Sequence, residues 1–257
     1  MQTAHDPSPP PSTDPLARFR DDRWRVASRA AEADGPPFPD AARPGLVELF
    51  PERPLDTGAL GLALSALAPG LDERPVLWVL DAAVARQVGR PCLHGLADWG
   101  LGNLLLVCPR DARAALWAME EALSCDAIGA VVGELWGNPR ALDFTASRRL
   151  AVAAERRGVP VVLLRPGAGA DLSAARARWR VASAPSACHP FDANAPGHPR
   201  WTAELFRARG HRPGSWRAEW GRTDAVSPRR LRLDDWADCG ADARLPESLT
   251  PRAARMG

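Results

Sequence analysis

The sequence predicts an α/β fold in which helices flank a mostly parallel β-sheet. Continuous apolar runs at Val76–Asp81, Ala127–Val132 and Val159–Leu164 are typical of strands that are buried on both faces. Patterns of helical period at Asp111–Cys125 and Ser147–Arg157 separate these strands. Alternation of strand and helix at this spacing indicates parallel strands joined by crossover helices.

The remaining elements of the parallel part follow the same order. Val47–Phe50 predicts a short first strand, Gly58–Leu67 a helix, and Leu104–Cys108 a further buried strand. Asp143 or Thr145 can cap the helix at Ser147–Arg157. These elements place the start of the domain near residue 44.

The C-terminal half predicts antiparallel strands. Arg178–Ala182 alternates between polar and apolar residues, and so do Trp201–Arg207 and Ser215–Trp220. Ala208–Gly214, which contains two glycines and a proline, joins the last two as a hairpin. One face of the second hairpin strand would carry Trp216, Ala218 and Trp220.

Proline content and the loss of periodicity divide the chain into three parts. Residues 1–43 are predicted to be a flexible, proline-rich arm with a short helix that Thr13 or Asp14 caps. Residues 44–222 form the core with its C-terminal hairpin. Residues 223–257 show no consistent period and are predicted to be a partly disordered tail.

The composition excludes several kinds of chemistry. The chain has 257 residues, no tyrosine and no lysine, so all 33 basic residues are arginine. GC-rich codon usage accounts for this exchange, yet it removes every lysine that could form a Schiff base or bind a nucleotide phosphate. The chain has no run of 18 apolar residues and no signal peptide pattern, so a cytoplasmic location without membrane contact is expected.

Charge is distributed unevenly along the chain. Residues 1–147 hold 13 arginines and 20 acidic residues, a net charge of −7, whereas residues 148–232 hold 17 arginines and 6 acidic residues, a net charge of +11. The basic block predicts an anionic partner, either nucleic acid or an acidic protein surface. The alternative is a solvated arginine face that the acidic half balances. The candidate nucleic-acid contacts are Arg148, Arg149, Arg176, Arg178, Arg180 and Arg200.

Metal-binding and nucleophilic sites find little support. The five cysteines are widely spaced and form no CxxC pair, so no disulfide framework or zinc ribbon is predicted. Cys92 with His94, or Cys188 with His189, would be only half of a metal site. No serine lies in a Gly-x-Ser-x-Gly setting. We therefore expect no bound metal and no catalytic nucleophile.

The loop before the first helix has the position of a phosphate-binding loop but the wrong residues. It contains two prolines, which lack N–H donors, and two acidic residues, which would repel a phosphate. Its degenerate phosphate-binding positions are Glu52, Asp56, Thr57 and Gly58. Asp81 and Glu134 end two strands and could hold Mg²⁺ through water, or serve as helix-capping or loop-solvating acids.

Several segments between residues 44 and 222 occur in a distinctive order and spacing. They are Pro75–Val79, Gly100–Leu101, Ala115–Leu123, Leu142–Leu150, Arg178–Ala182, Arg200–Trp201 and Trp216–Trp220. These segments are similar to the ImuA family of RecA/SulA-like SOS mutagenesis proteins. The stretches Leu77–Ala82, Gly100–Leu105, Ala114–Leu123 and Ala127–Glu134 follow the order of strands and helices in the RecA-like ATPase core, which the chain also resembles.

The resemblance implies a scaffold without catalysis. The position that corresponds to the catalytic glutamate of RecA is Ala83, two residues after Asp81, and the phosphate loop has no lysine. Phosphoryl transfer relies on both groups, so neither ATPase activity nor a cofactor is expected. ImuA-type proteins are accessory proteins of SOS-induced error-prone translesion synthesis. The partners implied are an ImuB-like Y-family protein without polymerase activity and an error-prone C-family DNA polymerase complex, with DNA as a further candidate.

The leading hypothesis is accordingly a protein-binding adaptor. Tryptophan-rich surfaces with arginine are typical of interfaces, and the predicted partner-binding residues are Trp201, Phe206, Trp216, Trp220 and Trp236. For Trp216, Trp220 and Trp236, packing in the core is an equal alternative. Core packing is predicted instead for Trp78, Trp117 and Trp179. The alternatives are a single-stranded-DNA-binding module, a residual nucleotide-binding module and a SulA-like inhibitor of cell division.

Overall fold

The computed structural model describes residues 43–68, 71, 74–97, 99, 101–189, 191–192, 194–221 and 230–235. The predicted N-terminal arm with its helix lies outside the described residues, apart from Arg43. Trp236 and most of the predicted tail lie outside them as well.

A nine-stranded sheet in the order β3-β2-β4-β5-β1-β6-β7-β8-β9 organises the described chain. Strands β1 to β6 pair in parallel, and β6 to β9 pair antiparallel. This confirms the predicted α/β class with its C-terminal antiparallel extension. The strands are β1 Gly45–Pro51, β2 Val76–Leu80, β3 Leu104–Val107, β4 Ala130–Glu134, β5 Pro160–Leu164, β6 Ala177–Ala184, β7 Arg200–Ala208, β8 Gly214–Gly221 and β9 Arg230–Asp235.

In the described part of the chain, five helices flank the sheet: α1 Gly58–Leu67, α2 Ala82–Val88, α3 Leu93–Ala97, α4 Ala112–Ala122 and α5 Phe144–Arg157. The α1 helix packs on one face, over a core that includes Trp78 and Trp179. Helices α4 and α5 pack on the opposite face, over Leu46, Val79 and Leu163. The central strands β2, β4 and β5 are therefore buried on both faces, which is why their sequences are predominantly apolar.

Three helices have an aspartate as their N-terminal capping residue: Asp81 for α2, Asp111 for α4 and Asp143 for α5. Asp111 and Asp143 each accept a hydrogen bond from the backbone N–H three residues later, at 2.8 Å and 2.7 Å. Such a bond satisfies a helix donor that has no partner within the helix. Of the two residues predicted to cap α5, Asp143 is the cap, and Thr145 lies inside the helix. Gly158 ends α5 with a positive φ of 69°, which glycine adopts without strain.

Two predictions of burial are wrong. Leu104–Cys108 was expected to be a buried strand, but β3 is at the edge of the sheet, where Leu105 is 50% exposed. Trp117 was expected in the core, yet it is 64% exposed on α4. The buried residues of α4 are Ala115, Leu116, Met119 and Ala122, and the Trp117 side chain projects away from them.

Three elements were not predicted. Helices α2 and α3 are seven and five residues long and too short to show a helical period. Strand β9 falls in the predicted tail and pairs with β8 through Leu233 opposite Ala218. In the described part of the chain, no helix is long and apolar enough to span a bilayer.

Candidate functional site

The Asp56 carboxylate, in the loop between β1 and α1, bonds this loop to the start of α1 and to β6. Asp56 Oδ1 accepts a hydrogen bond from the backbone N–H of Gly58 at 2.8 Å and another from the Ser183 hydroxyl. Asp56 Oδ2 accepts from the backbone N–H of Ser183 at 2.9 Å. The N-terminus of a helix attracts anions because its N–H groups lack partners within the helix. Here an internal carboxylate occupies that position at the start of α1.

The first turn of α1 lies directly against β6 and β7. A Cβ atom on Gly58 would be 2.8 Å from Ser183 Oγ and 2.9 Å from Trp201 Cδ1, and one on Gly61 would be 2.7 Å from Trp201 Cζ2. Contacts of this length leave no room for a side chain. The two glycines therefore allow the close approach of helix to strand, rather than wrapping backbone N–H groups around a phosphate.

A cavity of about 210 Å³ opens at the carboxyl edge of the parallel strands, beside this loop. Its walls come from β2, the ends of β1, β4 and β5, helices α1 and α2, and the loop itself. The lining is mostly apolar and includes Pro51, Leu60, Trp78, Val84 and Leu164. The carboxyl edge is where ligands bind in open α/β sheets, so the cavity is the candidate small-ligand site of this fold.

The two acids that end β2 and β4 have different roles. Asp81 caps α2 by accepting from the backbone N–H of Ala83 at 3.3 Å, so the helix-capping alternative is confirmed for it. Glu134 is neither a helix cap nor a loop-solvating acid: it is 7% exposed, and its Oε1 accepts from Trp78 Nε1 at 2.7 Å. Burial raises the pKa of Glu134 to about 7, against the smaller opposite effect of the Trp78 hydrogen bond.

A buried charge cluster lies on the other face of the sheet. Glu48, in the middle of β1, accepts from Arg178 Nε at 2.7 Å and from the Ser173 hydroxyl at 2.9 Å. Arg165 Nη1 lies 3.6 Å from Glu48 Oε1, and all three charged side chains are at least 97% buried. Burial lowers the pKa of Arg165, although the nearby Glu48 carboxylate opposes the shift. The cluster fixes β1, β5 and β6 relative to one another.

Aromatic rings cover this cluster. The Arg178 guanidinium lies 5.1 Å from the centre of the Phe50 ring and 5.3 Å from that of Phe206, and Arg180 lies 4.7 Å from Phe206. A cation over a ring face is attracted to its negative potential. Phe206, predicted to bind a partner, is thus a half-buried platform for two arginines.

Next to Phe206, the same face of strands β6 to β9 carries charged side chains and forms the polar face. Arg200 and Arg232 flank Glu219, with contacts of 2.6 Å and 2.7 Å, and Arg180 pairs with Glu204 at 3.0 Å. Burial alone would raise the pKa of Glu219, but the hydrogen bond and charge of Arg200, with the charge of Arg232, hold it below its usual value. On the polar face, basic and acidic side chains therefore alternate and form ion pairs.

The six predicted nucleic-acid arginines do not line a single groove. Arg178 is buried on Glu48, and Arg180 and Arg200 pair with carboxylates of the polar face, as described above. Arg149 reaches Glu120 of α4 at 2.9 Å. Arg176 donates to the Pro44 carbonyl, and Arg148 is exposed on α5. Nucleic-acid binding by this set stays a prediction.

The predicted partner-binding tryptophans divide by burial. Trp201 and Trp220 are each 4% exposed and belong to the core, where the ring of Trp99 stacks on Trp220 at 5.5 Å. Trp216 is half-buried and packs against Trp179 at 5.6 Å. The predicted shared apolar face of Trp216, Ala218 and Trp220 on β8 is confirmed. Partner binding by these residues stays a prediction.

The cysteines of the described residues form no disulfide. Cys92, Cys108, Cys125 and Cys188 are exposed free thiols. Among the residues that the structure describes, no three His, Cys, Asp or Glu side chains are grouped so as to hold a metal ion.

Sequence reasoning missed two features of the site. It did not pair Asp56 with Ser183, because these residues are 127 positions apart. It also did not identify Glu48 as buried, although a single acid between Val47 and Leu49 in an apolar strand is a signal for a buried ion pair.

Comparison with known proteins finds relatives of this chain. Protein ImuA of Caulobacter vibrioides strain NA1000 / CB15N is 39% identical over 175 residues, which cover 63% of this chain and 68% of that protein. Protein ImuA of strain ATCC 19089 / CIP 103742 / CB 15 matches to the same extent. No family model matches the chain. At this identity and coverage, the chain belongs to the ImuA family.

Proposed function

We propose that this chain is a non-catalytic accessory protein of SOS-induced, error-prone translesion DNA synthesis. In this role it binds an ImuB-like Y-family protein and, through it, an error-prone C-family polymerase complex. Membership of the ImuA family supports the process, and the site geometry supports the absence of catalysis. The adaptor acts by presenting surfaces, without turnover of a nucleotide.

The observation that carries this proposal is the internal carboxylate at the start of α1. Asp56 uses both of its oxygens within the chain, on Gly58 and Ser183. A nucleotide phosphate at that position would have to displace it and would meet its negative charge. No lysine exists to compensate that repulsion.

Calorimetric titration of the full chain with ATP and Mg²⁺ tests this part. We expect no binding in the micromolar range. Asp56→Ala is the matched variant: it should lower the melting temperature, because it removes three hydrogen bonds worth about 1 kcal/mol each, without creating ATP affinity. Micromolar binding by the wild-type chain would contradict the proposal.

The adaptor role is tested by capture of an ImuB-type protein on the immobilised full chain. We expect Phe206→Ala to weaken capture at least tenfold, because half-buried aromatic residues next to arginine are typical binding anchors. Trp117→Ala is the control, since Trp117 is an exposed aromatic residue on α4, which packs over β2 and β4 rather than beside β7. Thermal melting of both variants checks that they fold. Failure of the wild-type chain to bind would refute the adaptor role.

Single-stranded DNA binding is a second candidate, favoured by the arginines of the polar face. We expect Arg180→Gln to weaken binding of a labelled oligonucleotide and to reduce its salt dependence, whereas Arg110→Gln should leave both unchanged. If each of the three arginines of the polar face contacts one phosphate, the affinity for single-stranded DNA should fall roughly 20-fold between 50 and 200 mM salt. Fluorescence anisotropy measures this, and a salt-independent signal would contradict direct DNA binding.

A further inference from the structure

We propose that the cavity at the carboxyl edge of the sheet binds a lysine side chain of another protein, with the Glu134 carboxylate as the partner of its ammonium group. The inference rests on the proposed function only for the identity of that protein. The binding chemistry itself follows from the cavity.

The walls of the cavity suit the apolar part of a lysine side chain. Its volume is about 210 Å³, and Leu60, Trp78, Val84 and Leu164 contribute to the lining. A lysine buries its methylene stem against such surfaces and keeps a polar group only at its tip. One long side chain is the occupant that fits this combination.

Glu134 supplies the polar group that the tip requires. It lines the cavity, is 7% exposed, and accepts a hydrogen bond at Oε1 from Trp78. Within the described ranges, that is the only hydrogen bond to its side chain and no cation pairs with it. A buried carboxylate without a cation is costly, and its raised pKa reports that cost. An entering ammonium group would compensate the charge and return the carboxyl to its ionised form.

The other charged groups around the cavity are engaged or exposed. Asp56 is bonded to Gly58 and Ser183, and Asp81 caps α2. Arg90 lines the cavity but is an exposed residue with no ion pair to Glu134. Glu134 is therefore the titrating group that decides how the cavity responds to a cation.

The expected occupant is a lysine rather than an arginine, and it comes from another protein rather than from a second copy of this chain. A guanidinium pairs best with both oxygens of a carboxylate, but Trp78 already occupies Oε1 of Glu134. The present sequence contains no lysine, so a second copy cannot supply it. At the cavity edge, Leu55 and Val88 are 61% and 41% exposed, which offers apolar contact for the backbone around the inserted lysine.

Capped pentapeptides of the form Ala-Ala-X-Ala-Ala test the proposal by NMR titration of the full chain. X is lysine, norleucine or arginine; norleucine has the lysine stem without the ammonium group. The reporter is the indole N–H resonance of Trp78, assigned by its loss in Trp78→Phe. Glu134→Gln is the matched variant, because glutamine keeps the shape and can still accept from Trp78 while removing the charge. No ImuB-type protein is present, so failure here is distinct from failure of the adaptor role.

At pH 8 we expect the lysine peptide to bind about tenfold more tightly than the norleucine peptide and more tightly than the arginine peptide. The lysine preference should shrink at pH 6, where Glu134 is protonated, and disappear in Glu134→Gln. Equal binding of lysine and norleucine, tighter binding of arginine, or a lysine preference that survives Glu134→Gln would each overturn the proposal. Binding that leaves the Trp78 resonance unmoved would overturn it too.

Discussion

Replacing Glu134 with glutamine should stabilise the protein at alkaline pH and leave its stability nearly unchanged at acidic pH. The Glu134 side chain is 7% exposed, and its only hydrogen bond within the described residues comes from Trp78. Its pKa is about 7 in the folded protein, against an ordinary value of 4.5. The folded state therefore holds a proton that the unfolded state has released between these two pH values.

The sign and size of the effect follow from proton linkage. Because the folded-state pKa is the higher one, the wild-type protein loses stability as the pH rises from 4.5, and the loss levels off above pH 7. For these two pKa values, the loss between pH 5 and pH 8 amounts to about 2–3 kcal/mol, since each pKa unit corresponds to about 1.4 kcal/mol. Glutamine does not titrate, so Glu134→Gln should escape this loss.

Urea denaturation followed by circular dichroism at pH 5, 6, 7 and 8 measures the effect. The quantity of interest is the difference in unfolding free energy between Glu134→Gln and the wild-type chain, because other titrating groups cancel in it. Asp81→Asn is the control, since Asp81 is the acid that ends the neighbouring strand and caps a helix. A difference for Glu134→Gln that stays constant across this range would refute the reasoning.

Two further substitutions test the packing and the charge cluster. Gly61→Ala should destabilise the protein by about 1–3 kcal/mol, because the new Cβ would lie 2.7 Å from Trp201. Gly95→Ala is the control and should not destabilise it, since no atom lies within 4 Å of the position that its Cβ would take. Equal melting temperatures for the two variants would contradict the close approach of α1 to Trp201. Glu48→Gln should cost about 3–5 kcal/mol in urea denaturation, because it leaves two buried guanidinium groups without their carboxylate. Glu204→Gln removes a surface partner and should lower the unfolding free energy by less than about 1 kcal/mol. If Glu48→Gln and Glu204→Gln lower it by similar amounts, the buried Glu48 cluster does not stabilise the fold more than a surface ion pair does.

Local pattern predicted the central elements well, for a physical reason. Strands β2, β4 and β5 are buried on both faces, and that environment favours a continuous apolar run. Helix α1 was predicted with its observed bounds, Gly58–Leu67. The hairpin of β7 and β8 was predicted because one face of each strand is apolar and the other polar, which gives a strict alternation.

Edges and short elements were harder to predict, also for a physical reason. Strand β3 has the same apolar run as a central strand, and only its place at the edge of the sheet exposes Leu105. Trp117 is hydrophobic, but it lies off the stripe that faces the sheet, so composition was a poor guide to its burial. Strand β9 alternates leucine with charged residues over only six positions, a signal that its surroundings in the sequence obscured.

The sequence by itself predicted a scaffold without nucleotide hydrolysis, because it contains no lysine and its phosphate loop carries prolines and acids. It also determined the alternation of strands and helices, because burial imposes a period on neighbouring residues. Only the tertiary structure decided the contacts that make the candidate site, which join Asp56 to Ser183, Glu48 to Arg178 and Trp78 to Glu134. These contacts depend on which strands are neighbours in the sheet, and strand order follows from the packing of the whole domain rather than from any local pattern.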